Sequence, residues 1–184
     1  MLGYRISHGR IRPHPDRMRL LLELPIPESA ASLKRALGLF SYYYYSQWVP
    51  QFSDRIQPLI NDPDFPLCSA AIDAFEKIKL LIADGSLVSP NKDDLPVVET
   101  DASSFALTGT LNQRGKPIAF FSRTLSKQEK SQSSIEKEAA AVIECCRRWR
   151  HYLSGRQFLL ITDQEAVSFI FSKERSKATA KNEN

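Results

Sequence analysis

Two short apolar runs that end in the same Thr-Asp pair constrain this chain more than any other feature. They are Val97-Val98-Glu99-Thr100-Asp101 and Leu159-Leu160-Ile161-Thr162-Asp163. Runs rich in β-branched and large apolar residues read as strands. Between them, Ala139, Val142, Cys146, Trp149 and Leu153 all fall within about 40° of Ile135 on a helical wheel, which predicts one long helix from Ile135 to Leu153. A crossover helix joins parallel strands of one sheet. The two runs are therefore expected side by side, with Asp101 and Asp163 emerging together at the carboxyl ends, where open α/β sheets keep their ligand crevices.

The remaining segments fit around this unit. Phe105 to Asn112, a turn at Gly115 and Ile118 to Phe121 predict a three-stranded meander with the Val97 strand, and a strand from Gln157 to Asp163 leads into a short helix from Gln164 to Phe171. Before Val88, prolines at 13, 15, 25, 27, 50, 58, 63 and 66 permit only short helices between turns. Pro15 and Asp16 open one, which must end before Pro25. A second starts near Ser29, carries Leu33, Ala36, Leu37 and Phe40 on one face, and runs into Tyr42 to Tyr45. Phe52 to Ile60 offers a third. Ser69 is expected to cap a fourth, lined by Ile72, Phe75, the Lys79 stem and Ile82 and ending at Gly85 as a left-handed cap.

The expected class is thus mixed α/β. A small helical segment spans residues 1–87, a mixed sheet with a long crossover helix spans 88–171, and a polar tail at 172–184 is expected to be disordered.

Composition removes several function classes. With 42% hydrophobic and 25% charged residues the chain can build a core, yet no apolar run approaches the roughly 20 residues of a membrane span, and no signal peptide opens it. The expectation is an intracellular protein, cytoplasmic or nuclear, neither secreted nor bound to membrane. Cys68, Cys145 and Cys146 form an odd set without metal-ligand spacing, so they are read as small core residues. Residues 1–60 carry 8 Lys/Arg against 4 Asp/Glu, whereas the rest balances at 17 against 17. That bias suits a polyanionic partner or a solvated basic face.

Helical phase adds a third acid to the two strand-end aspartates. Glu138 lies about 60° from the centre of the apolar stripe, Glu136 about 100° away on the other side, and Glu144 opposite. A carboxylate at the rim of a buried face needs a cation, a hydrogen-bond network or a wet cleft. Asp101, Glu138 and Asp163 without His or Cys make a hard, all-oxygen ligand set suited to Mg2+ or Mn2+. Sites of this kind hold two cations roughly 4 Å apart and hydrolyse phosphodiesters. The structural alternatives are an Asx-turn at Asp101, a capping box from Thr162 to Glu165, and an ordinary rim ion pair for Glu138. Arg147 and Arg148 are read as phosphate contacts or as cations complementing the C-terminal end of the helix dipole, and Trp149, Tyr152 and the tyrosine run as packing.

The stretch from Val98 to Ser103, Leu111 to Gln113, Ile118 to Leu125, Ile135 to Ala139, Trp149 to Leu153 and Ile161 to Gln164 resembles the ribonuclease H domain of gypsy-type LTR retrotransposon polyproteins. Upstream, Leu2-Gly3-Tyr4 looks like the end of a polymerase palm. Arg35 to Tyr43, Phe52-Ser53 and Pro58-Leu59 look like the thumb and connection region. The resemblance implies metal-dependent cleavage of the RNA strand of an RNA–DNA hybrid. Asp101, Glu138 and Asp163 match the first three of the family's four acids, and Ser103 stands at the edge of the site near substrate phosphate. The family's polymerase motif, Tyr-x-Asp-Asp, is absent, so no polymerase activity is expected. The family's fifth strand and its final helix, bearing the fourth acid, do not appear, and Glu165, Glu174 and Glu183 sit in no matching context. Activity is therefore expected to be weak or lost. The alternative is a non-catalytic retroelement remnant that binds nucleic acid, and the implied partners include the rest of a polyprotein, with polymerase palm and fingers and an integrase.

Overall fold

The computed structural model describes residues 4–42, 45–61 and 64–170. The expected tail at 172–184, Leu2, Gly3, Tyr43 and Tyr44 lie outside the described residues.

The first element is a hairpin of β1 (Tyr4–Ser7) and β2 (Arg10–Pro13), turned by His8 and Gly9 at φ 51° and 71°. Two adjacent left-handed residues are what a two-residue hairpin loop requires. This departs from the expectation of helices alone before Val88. The signal, His8-Gly9 between Ile6 and Ile11, is weak because histidine occupies the first turn position less often than Asn or Asp.

The helices follow the proline punctuation. α1 (Pro15–Leu22) begins at Pro15 with Asp16 in its first turn, and α2 (Ala30–Tyr42) buries Leu33, Ala36 and Phe40 at the expected spacing. After a 3-10 turn (Tyr45–Trp48), the single helix expected over Phe52 to Ile60 divides at Ile56 into α3 (Phe52–Arg55) and α4 (Gln57–Ile60). α5 (Ser69–Ala83) is the centre of this half, with Phe75, Ile78 and Ile82 fully buried and α1, α3, α4 and the 3-10 turn packed on it. Lys79, only 4% exposed, satisfies its ammonium on the Leu24 carbonyl at 2.8 Å and Glu76 at 3.0 Å.

Two expectations for α5 are corrected. Cys68, not Ser69, is its N-cap, and Cys68 is exposed rather than in the core. Gly85 is not left-handed, since Asp84 already ends the helix in right-handed geometry. Glycine is needed there for proximity: a Cβ would stand 2.9 Å from Trp48 Cβ.

β3 (Leu87–Val88) pairs antiparallel with β2, placing Leu87 opposite Ile11, so the boundary expected at 87/88 falls inside a strand of this first, three-stranded sheet. The second sheet begins at β4 (Val97–Ala102) and continues through β5 (Ala106–Gln113) and β6 (Lys116–Thr124) as the expected meander. Arg114 and Gly115, at φ 50° and 69°, make the tight β5–β6 turn. Next come α6 (Lys127–Lys130) and α7 (Ser134–Arg148). The helix expected to continue to Leu153 breaks at Trp149, beyond which α8 (Arg150–Leu153) leads to β7 (Leu159–Ile161) and α9 (Glu165–Ile170).

Strand order is β6-β5-β4-β7, with β7 parallel to β4 as expected, although it pairs over only three residues of the longer predicted strand. Val98, Leu111, Ile118, Cys145 and Trp149 form the core beneath α7. The helical half docks on β6 through α3 and the 3-10 turn, and Phe120 of β6 packs against the helical core. Among the described residues no helix is long and apolar enough to cross a membrane.

Candidate metal centre

α7 is set by its start and by its underside. Ser133 and Glu136 form a capping box: Ser133 Oγ accepts the Glu136 N–H at 3.3 Å and Glu136 accepts the Ser133 N–H at 2.8 Å. The Ser133 N–H and the Ser133 hydroxyl, which donates to Glu136 Oε2 at 2.8 Å, hold the Glu136 carboxyl below the usual range and assign it to the helix terminus. Underneath, Gly109 of β5 opens a hollow into which Cys145 fits, since a Cβ at Gly109 would lie 2.2 Å from the Cys145 sulfur. Cys145, not Cys146, therefore faces the sheet, and Ile135 is 42% exposed. The buried stripe is rotated from the predicted one and runs through Glu138, Ala141, Val142 and Cys145.

That rotation moves Glu138 from the rim to the centre. Seven residues before Cys145, it lies about 20° from it on the helix, and it is 3% exposed. Its Oε1 accepts the Ala102 N–H at 2.8 Å, fastening α7 to the end of β4, while Oε2 is buried with no hydrogen-bond partner. Desolvation outweighs the Ala102 bond, and with the neighbouring Asp163 and Asp101 carboxylates it raises the Glu138 pKa to about 7.

The aspartates arrive as the strand pairing requires. Glu99 pairs with Ile161, and Asp101 and Asp163 each lie two residues further on. One carboxylate oxygen from each of Asp101, Glu138 and Asp163 lies within 4.8 Å of the others, with Glu138 buried and both aspartates exposed. The three acids singled out in the sequence are thus brought together. Two exposed aspartates beside an unpartnered buried carboxylate oxygen of Glu138 form a donor set that fits a hard divalent cation: the ligands are all carboxylate, and a cation would supply the partner that Oε2 lacks.

The other candidates are placed differently. Asp101 forms no Asx-turn, since it sits within β4 opposite Thr108. The Ser103 hydroxyl is not free for phosphate: it donates to Asp54 Oδ1 at 2.7 Å and accepts the N–H groups of Ala106 and Phe105 at 2.9 and 3.1 Å. Arg147 and Arg148 are exposed near the far end of α7, roughly 14 Å along the helix from Glu138 at its usual rise. Arg147 lies 3.8 Å from Glu144. Asp54, on α3 of the other half, was missed by sequence reasoning, and nothing in its local sequence signals a contact 49 residues away.

A family model described as an RNase H-like domain found in reverse transcriptase matches residues 92–183. The Pol polyprotein of transposon 297 from Drosophila melanogaster is 34% identical over 92% of this chain. The gypsy Pol polyprotein of the same fly is 24% identical over 98%, and the Tf2-3 transposon polyprotein of Schizosaccharomyces pombe 28% identical over 88%. The chain spans 16%, 19% and 13% of the lengths of those relatives, respectively. Among solved structures, foamy viral protease-reverse transcriptase in complex with RNA/DNA hybrid superposes with a TM-score of 0.73 at 21% identity, covering 89% of this chain and 23% of the other. Its dRH form with double-stranded DNA gives 0.72 at 20% identity, covering 97% and 32%.

Proposed function

The chain belongs to the RNase H-like domains found in reverse transcriptase, and from that premise we propose that it cleaves the RNA strand of an RNA–DNA hybrid with divalent metal held by Asp101, Glu138 and Asp163. The observation that carries this reading is Glu138 Oε2, a buried carboxylate oxygen without a donor, within 4.8 Å of oxygens from two aspartates. The foamy viral protein of the same fold is bound to RNA/DNA hybrid, which supports the choice of substrate.

Asp101 lies within β4 and Asp163 in the bend two residues past β7, so the parallel pairing of those strands brings the two carboxylates to the same end of the sheet. Glu138 is anchored by Ala102 and is the buried member of the three acids. Without metal it holds a proton near neutral pH, and the proton belongs on Oε2 because Oε1 already accepts the Ala102 N–H. Glu138 would give up that proton to serve as a ligand to a cation. When bound, Mg2+ or Mn2+ stabilises charge developing on the phosphate and leaving oxygens.

The test is a labelled hybrid incubated with Mg2+ or Mn2+ beside an Asp101→Asn variant. Metal-dependent cutting of the RNA strand, lost in the variant, is expected, and equal cutting by both proteins overturns the reading. Saturating Mn2+ should also raise the melting temperature of the parent protein by ~5–10 °C at a hundredfold excess over Kd, and leave the variant unmoved.

A second, binding-only reading rests on a separate observation. The cationic excess of the first 60 residues gathers Arg5, Arg10, Arg12 and Arg19 around a cleft of about 780 Å³ beside His8. Under this reading the chain holds nucleic acid, as one part of a larger Pol polyprotein, without cutting it. Affinity should then fall steeply with salt and survive Asp101→Asn.

A further inference from the structure

We propose that Asp54 is a positioning residue for the acid site, so that the helical half of the chain sets the geometry of carboxylates it does not itself carry. This inference rests on the metal reading above and adds to it a residue outside the triplet.

Ser103 has one proton and two lone pairs to offer, and all are spent. The proton goes to Asp54 Oδ1 at 2.7 Å, with the Ala106 carbonyl a longer second acceptor at 3.4 Å, and the lone pairs take the Ala106 N–H at 2.9 Å and the Phe105 N–H at 3.1 Å. The Ser103 N–H in turn reaches the Ala106 carbonyl at 2.9 Å. These bonds define the turn between β4 and β5, and the turn follows directly on Asp101 and on Ala102, whose N–H holds Glu138. A hydroxyl whose proton is fixed presents its lone pairs in one orientation, so Asp54 determines how firmly the turn closes. Asp54 is itself held rigidly. Phe52, two residues before it, is buried in the helical core, and the Ser53 N–H donates to Ser122 Oγ of β6 at 2.9 Å. Two consecutive residues of α3 thus grip two places on the catalytic sheet. Asp54 lies in the half of the chain before Val88, whereas all three acids lie after it.

The experiment uses the full chain with Asp54→Ala, Asp54→Asn, Ser103→Ala and the double alanine variant. Three quantities are read: Mn2+ concentration at half-saturation, amide hydrogen exchange at Ala102, Phe105 and Ala106, and unfolding in urea. Asp54→Ala should weaken Mn2+ binding about fivefold, the effect of one lost hydrogen bond, and Ser103→Ala, which removes the two amide bonds as well, should weaken it further. The double variant should be no worse than Ser103→Ala alone, because that change already removes the bond to Asp54. The three amides should exchange faster than the change in global stability accounts for. Asp54→Asn retains an oxygen acceptor and should behave like the parent protein.

Mn2+ affinity and amide exchange left unchanged by Asp54→Ala overturn the proposal. So does an Asp54→Asn variant as impaired as Asp54→Ala, because that would make charge, not the hydrogen bond, the agent. If the parent protein fails to bind Mn2+ at all, the metal reading falls on its own, while exchange at Ala102 still decides whether Asp54 orders the strand end.

Discussion

Glu138 and Ala102 are joined by a 2.8 Å hydrogen bond that crosses from the underside of α7 to the last residue of β4, one position beyond Asp101. The bond fastens one carboxylate oxygen and leaves the other buried and unpartnered. This arrangement makes the site a source of instability in the absence of metal.

Glu138 should therefore make metal-free stability fall as pH rises. Its pKa is raised from 4.5 to about 7, so between those values the unfolded chain ionises it and the folded chain does not. The stabilising effect is complete below about 4.5, is lost as pH climbs through about 7, and amounts to roughly 3 kcal/mol at most. Urea unfolding in EDTA across this window should show the slope, and Glu138→Gln should flatten it. A parent protein with level stability between those pH values contradicts the assignment.

Gly109→Ala should destabilise the protein by about 1–3 kcal/mol through overpacking. The added methyl would meet the Cys145 sulfur at 2.2 Å and Trp149 at 3.3 Å. Relief requires α7 to lift or turn, which carries Glu138 with it, so weaker Mn2+ binding should accompany the lower melting temperature. Trimming the obstacle with Cys145→Ala in the same chain should restore part of both.

Gln113 should prove to be the clasp of the connecting segment. Its Nε2 donates to the carbonyls of Asn91 and Asp94 at 2.8 Å, and its Oε1 accepts the Asn91 N–H at 2.9 Å. Gln113→Ala removes the side-chain partner of the Asn91 N–H and carbonyl, while the Asp94 carbonyl keeps Arg156, at a cost of about 1–3 kcal/mol. Limited proteolysis should then cut within residues 90–96 well before it cuts the parent protein there.

At the acid end, the pair Arg123–Glu129 should set the behaviour. The side-chain bond from Arg123, with help from Ser126, lowers the Glu129 pKa to about 2. A depressed carboxyl stabilises the fold above its unfolded pKa of 4.5, and that contribution disappears as pH falls toward 2. Both side chains are partly exposed, so the effect is about 0.2–1 kcal/mol. Glu129→Gln should lower stability near neutral pH and remove this share of the acid transition.

How much of this could be read in advance differs from element to element. The meander, the parallel return of β7 beside β4 and the identity of the three acids followed from local patterning. The β1–β2 hairpin escaped because His8-Gly9 is a faint turn signal, and the break at Trp149 because the wheel stays apolar through Leu153. Asp54 escaped for a different reason: its only informative contact is with a residue in the other half of the chain.

The amino-acid order by itself determined that two Thr-Asp strands joined by one amphipathic helix must lie parallel with their aspartates level, because a helical crossover and the two-residue period of a strand permit little else. It did not place correctly which face of that helix meets the sheet. Cys145 and Cys146 are equally apolar and 100° apart, and the wheel centred on Ile135 selects Cys146. The packed structure selects the other, by offering a hollow over Gly109 that accepts Cys145 and so draws Glu138 inward. Shape complementarity between distant segments carries that information, and it exists only once the sheet has formed.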